Sequence, residues 1–175
     1  MRQLTDKARL EVFIAALGRR VSGPGRIYLT GGATAVLHGW RTMTIDIALK
    51  ADPEPRGLFE AIASLKEELD VNVELASPDD FIPAAPGWRE RSPFIARHGS
   101  VEFFHCDPYG QALSKLQRRF DRDIVDARAL VESGLVQRGK LRQMYDQIEP
   151  RLIRYPAVDA GSFRAAVMAF CDEGG

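Results

Sequence analysis

With 175 residues, 45% of them apolar and 27% charged, the chain suits one compact soluble body with a packed core, and its composition excludes disorder. Its 24 Lys and Arg cancel 24 Asp and Glu, which excludes a global field for nucleic acid or membrane and confines any polyanion site to a local patch. The same balance favours self-association or a partner chain.

In residues 1–17 the apolar side chains are interrupted by Arg2, Asp6, Lys7, Arg9 and Glu11, so no signal-peptide core is expected. No run approaches the roughly 20 apolar residues of a membrane span, and the expected location is the cytoplasm. Helical spacing of Leu10, Phe13, Ile14 and Leu17 predicts a helix over residues 4–17, with Gly18 as its stop. A Gly/Pro loop over 22–26 leads to a short strand, 27–30, which ends at Gly31 and Gly32. A helix over 33–40 follows, then a strand over 44–50. Residues 58–69 read as an amphipathic helix burying Leu58, Phe59, Ile62, Leu65 and Leu69, and 71–75 as a strand with two different faces. The Pro-, Asp- and Trp-bearing stretch 77–93 reads as a long loop, and 94–97 with 101–106 as a hairpin turning at His98-Gly99-Ser100. Beyond Pro108 only helices are expected, over 111–120, 123–133, 138–148 and 160–172. Cys106 and Cys171 have neither metal-ligand nor CxxC spacing and read as reduced thiols. The order predicts an α+β fold: a mixed sheet with helices packed on it over 1–109, then a helical subdomain over 110–175 packed on it as one compact unit.

The chemistry concentrates where a glycine pair joins a strand to a helix and an acidic strand follows. Glycines let backbone approach a phosphate closely, and the first N–H groups of a helix favour an anion. A carboxylate on the next strand can then hold Mg²⁺ against the same triphosphate. Gly31-Gly32-Ala33-Thr34-Ala35 and Thr44-Ile45-Asp46-Ile47-Ala48-Leu49-Lys50 form that arrangement. The stretch resembles the signature of polymerase-β-type nucleotidyltransferases. It is more closely similar to the small prokaryotic branch near the AbiEii and MenT toxins, whose pattern runs Gly-Gly-Ala-x-Ala and then Thr-Ile-Asp-Val-Asp-Ile-Lys. Residues 70–83, 112–116 and 122–130 resemble further blocks of that branch, in the same order.

The resemblance implies a polymerase-β-like core and Mg²⁺-dependent transfer of a nucleoside monophosphate from an NTP to an RNA hydroxyl, with a tRNA 3′ end as candidate acceptor. A toxin held by a cognate antitoxin is the implied setting. Asp46 and Glu74 become catalytic metal ligands, with Asp107 the competitor for Glu74. Gly31, Gly32, Thr34, Arg41 and Lys50 are placed at the nucleotide. Lys115 is placed on its phosphates, and Asp123 orients Lys115 or the acceptor. Asp126, three residues on, shares the helix side of Asp123.

One position departs from the pattern. Alternate residues of a strand share a face, so Asp46 and Ala48 point together, and Ala48 has no oxygen for a metal. Two ions about 4 Å apart need paired carboxylates. Ala48 therefore weakens metal binding and leaves two explanations open, a naturally degenerate member or an aspartate replaced to silence a toxic enzyme.

Plainer roles exist for the same residues. The glycines suit any tight turn, Glu74 suits a solvated strand face, and Asp123 suits a helix N-cap. Lys115, Arg118, Arg119 and Arg122 suit a basic solvated face that also fits an RNA backbone. Trp88 suits a loop anchor or a base-stacking surface. His38, His98 and His105 share no metal spacing. The absence of a GxxxxGK[ST] motif and of a Ser-His-Asp order disfavours a P-loop kinase or a serine hydrolase. The alternative to an enzyme is a catalytically dead regulatory module that binds nucleotide or RNA.

Overall fold

A computed structural model describes residues 4–173, so Arg2 lies outside the described residues. The described residues form an α+β fold of seven strands and eight helices. They divide into two compact units, and neither is contiguous in sequence. The first runs to Ser77 and resumes over Ser92–His105; the second comprises Pro78–Arg91 and the residues from Cys106 onward. Against an expected division after Tyr109, the chain passes between units at three places.

In the first unit, Thr5–Asp6 (β1) precedes the helix Lys7–Arg20 (α1). Asp6 starts α1 by accepting a hydrogen bond from the Arg9 N–H at 2.9 Å, satisfying one of the otherwise unpaired amides of the first turn. Gly18 was expected to stop this helix but lies inside it. A Cβ there would fall 2.5 Å from His98 Cβ and 2.6 Å from the His98 carbonyl oxygen, so the glycine permits close approach. Gly25–Thr30 (β2), Gly32–His38 (α2), Met43–Thr44 (β3), Asp46–Ala51 (β4), Leu58–Glu68 (α3), Asn72–Leu75 (β5), Phe94–His98 (β6) and Val101–His105 (β7) complete the unit.

Five strands make one mixed sheet in the order β5-β4-β2-β7-β6, and β1 pairs separately with β3. Neighbours β4 and β2 are antiparallel, as are β6 and β7; β2 with β7 and β4 with β5 are parallel. Alternation sends Ile27, Leu29, Ile47, Leu49, Val101 and Phe103 into one apolar core with Leu10, Phe13, Ile14 and Leu17 of α1 and with Leu58, Ile62 and Leu65 of α3. Phe59, expected inside, is 53% exposed, because the buried stripe of α3 runs through Leu58, Ala61, Ile62 and Leu65.

The second unit holds the short helix Trp88–Arg91 (α4) and the helices Pro108–Arg118 (α5), Asp121–Glu132 (α6), Arg138–Ile148 (α7) and Ala160–Asp172 (α8). Asp107 caps α5 by accepting the Tyr109 N–H at 3.0 Å, with Pro108 in the first turn, where its missing N–H costs nothing. Tyr145 of α7 and Phe163 of α8 meet edge to face, their centroids 5.1 Å apart, with both side chains buried. The long loop expected over 77–93 is pinned at several points. Ile82 and Ala85 are buried, the Tyr155 hydroxyl donates to the Asp79 carbonyl at 3.2 Å, and Arg151 donates to the Ala84 carbonyl. Arg91 bridges the Pro86 carbonyl and the Asp107 carboxylate, both at 2.7 Å.

Neither Cys106, which is buried, nor Cys171 is in a disulfide. Among the described residues no helix is long and apolar enough to cross a membrane.

Candidate functional site

Strand β2 ends at Thr30 and the chain reverses through Gly31, whose φ of 62° and ψ of −128° suit glycine alone. Gly32 is fixed by a different constraint. A Cβ on it would lie 2.0 Å from Thr44 Oγ1 and 3.3 Å from Arg41 Nη1. Thr44 is buried beneath the turn, and its hydroxyl donates to the Asp46 carbonyl at 2.9 Å. The glycine turn and the start of β4 are thus held together by one small side chain, with the Arg41 guanidinium beside them. Two of the residues expected at the nucleotide, Gly32 and Arg41, are neighbours in space.

The sheet register places the acidic residues. Thr30 pairs with Ala48 across β2 and β4, and Ala48 pairs with Glu74 across β4 and β5. Asp46 pairs with Asn72, whose side-chain amide donates to Asp46 Oδ1. Asp46, Ala48 and Lys50 alternate with the buried Ile47 and Leu49, so they share the face opposite the core with Asn72 and Glu74. Glu74 is exposed and stands beside Ala48, one register step from Asp46. Asp107, the competitor, is spent on capping α5 and on its ion pair with Arg91.

Among the described residues no group of three or more His, Cys, Asp or Glu side chains is placed to hold a metal ion. Asp46 and Glu74 supply hard oxygen donors. Such a pair suits a single Mg²⁺ that completes its shell with phosphate and water, and does not suit two ions.

Thr34 faces inward instead of toward a nucleotide. It is buried, and its hydroxyl lies 3.1 Å from His105 Nδ1 and 3.4 Å from the Leu29 carbonyl oxygen. The His38 ring sits between Trp40, stacked at 5.3 Å, and His105 at 4.4 Å. Burial and then the neighbouring His38 push the His105 pKa down to about 3, so this imidazole stays neutral near pH 7. Three rings and a hydroxyl thus buttress α2 from behind, a packing role that the spacing of the histidines did not disclose.

In the second unit, Lys115 of α5 meets both candidate acids of α6. Its ammonium lies 2.9 Å from Asp126 Oδ2 and 3.8 Å from Asp123 Oδ1, and both carboxylates are buried. Asp123 is engaged chiefly by Arg118, through Nε at 3.2 Å and Nη2 at 3.1 Å, and also accepts the Phe120 N–H at 3.3 Å. The closer partner of Lys115 is therefore Asp126. Sequence spacing put both acids on one helix face and offered no means of ranking them.

A family model described as "Nucleotidyltransferase of unknown function (DUF6036)" matches residues 14–172. No curated protein and no solved structure matches the chain.

Proposed function

The chain belongs to this family of nucleotidyltransferases, and from that premise we propose that its first unit binds an NTP as the Mg²⁺ complex for transfer of the nucleoside monophosphate to an RNA hydroxyl, a tRNA 3′ end being the candidate acceptor. The observation that carries the reading is the Gly31-Gly32 turn, with the Arg41 guanidinium against it and Thr44 tying it to the strand that presents Asp46. Backbone N–H groups of the turn and Arg41 take the β- and γ-phosphates, where a guanidinium offers two parallel donors. Lys50, on the face of Asp46, adds positive charge. Asp46 and Glu74 are the residues that hold the ion. When bound, the ion neutralises phosphate charge and polarises the α-phosphate. In the transfer, the acceptor oxygen forms a bond to the α-phosphorus, the bond to the β-phosphate oxygen breaks, pyrophosphate leaves, and the hydroxyl proton passes to water.

Ala48 leaves the ion short of one ligand, so transfer by the chain as it stands is slow or silent. Ala48→Asp is the test, with each α-labelled NTP offered in turn alongside total RNA. Label in RNA with the variant, abolished again by adding Asp46→Asn, supports the enzyme. Growth arrest on expressing Ala48→Asp, absent with the double variant, supports a toxin.

A second reading, a nucleotide- or RNA-binding module without catalysis, draws on two observations: the Asn72 amide already occupies Asp46, and no three-ligand cluster occurs among the described residues. NTP-induced thermal stabilisation of the Ala48→Asp variant with no label transfer favours that module. Neither stabilisation nor transfer sinks both readings.

A further inference from the structure

The junction between α5 and α6 carries a feature that the transfer reading leaves unused. Phe120 projects there with 66% of its surface exposed, the largest exposure of any aromatic residue among the exposed hydrophobics. The Arg118 guanidinium sits over its ring, 5.7 Å from the centroid. Arg119 and Arg122 are also exposed, and Arg119 adopts a left-handed φ of 62° and reaches the Ser162 carbonyl oxygen at 3.5 Å. In sequence these arginines are balanced by Asp121, Asp123 and Asp126. In space Asp123 and Asp126, 1% and 2% exposed, are taken up by Arg118 and Lys115, and Arg119 and Arg122 are the exposed arginines that remain. Asp121 is exposed beside them, and the exposed Asp159 acts electrostatically on Arg119.

We propose that this junction is a contact site for single-stranded RNA, with Phe120 stacking on an unpaired base while Arg119 and Arg122 take the flanking phosphates. The inference rests on the transfer reading for the identity of its ligand, an RNA acceptor. A ring capped on one side by a guanidinium and open on the other is a platform for a base, whose π-face any sequence provides. A buried protein–protein hot spot would also use Phe and Arg, but its centre is desolvated and apolar. Around Phe120 the sequence neighbours are charged and exposed, which favours a polyanion.

Fluorescence anisotropy of the full chain with a labelled single-stranded RNA tests this, with single-stranded DNA of the same sequence as a second arm. Phe120→Ala is expected to weaken RNA binding about tenfold. Phe120→Trp should restore it, and Phe120→Leu should not, because a leucine keeps apolar bulk without a ring face. Arg119→Ala with Arg122→Ala should flatten the slope of log affinity against log salt by about 1.4. All these variants should leave NTP-induced thermal stabilisation unchanged, so failure here is separable from failure of the nucleotide site. No RNA binding by the parent chain, an unaltered affinity in Phe120→Ala, or full retention by Phe120→Leu overturns the proposal. So does equal loss of a protein partner's binding with RNA binding intact. Tighter binding of DNA than RNA overturns the assignment to RNA.

Discussion

Gly31 and Gly32 adjoin each other yet exclude a side chain for unrelated reasons. At Gly31 the space is open and the backbone is the obstacle; at Gly32 the obstacle is Thr44. Gly31→Ala should therefore cost about 1–3 kcal/mol of backbone strain. Gly32→Ala should cost as much or more by displacing Thr44, and the double variant Gly32→Ala with Thr44→Ala should recover part of that loss. Urea titrations of the three proteins decide it. His105 gives a test by pH. Its folded pKa, about 3, lies below the ordinary value of 6.5, so the unfolded chain takes up a proton first as pH falls. The stability that comes from keeping it neutral is complete above about pH 6.5, declines below that, and levels off near pH 3. Between pH 7 and 5 the loss is expected to be about 2 kcal/mol. Urea unfolding at the two pH values should show that loss in the parent chain and a smaller one in His105→Asn.

At the scale of elements, helix α1 holds a glycine that propensity alone would replace. In an exposed helix Gly→Ala gains about 1 kcal/mol. Here the added methyl meets His98, and Gly99, with φ of 61°, would itself place a Cβ 2.6 Å from the Gly18 carbonyl oxygen. Gly18→Ala should destabilise by about 1–3 kcal/mol, a reversal of sign readable from the thermal midpoint. The case also shows where the sequence was legible. Helices expected over 138–148 and 160–172 occur with those bounds, since apolar spacing and a capping Asp159 are local signals. The alternation that put Asp46 and Ala48 on one face was equally readable. Gly18 was misjudged because a glycine that ends a helix and one that admits a neighbour look alike without the neighbour. Likewise, Phe59 fits either edge of its helix stripe, and β1 with β3, two residues each, are too short for any period to show. Of the candidate site, the turn at Gly31 and Gly32 and the strand position of Asp46 were legible. The site was not legible in Thr34, whose inward turn depends on a histidine 71 positions away, nor in the preference of Lys115 for Asp126.

For the whole molecule, the formal net charge of zero at pH 7 removes mutual repulsion between copies. Solubility at low salt should pass through a minimum near pH 7 and rise on either side, which precipitation assays across that range would register. The charge balance conceals local structure, as the buried acids of α6 and the exposed arginines before them demonstrate. The path of the backbone has a further outcome. Because Pro78–Arg91 leaves from β5 and returns at β6 while belonging with the residues from Cys106 onward, no single scission yields either unit intact. A gene fragment ending at His105 would strand Ile82 and Ala85 without their companions, and the complementary fragment would lack the Arg91 that neutralises Asp107. The two units are interleaved along the gene, so they must be inherited, expressed and dissected as one.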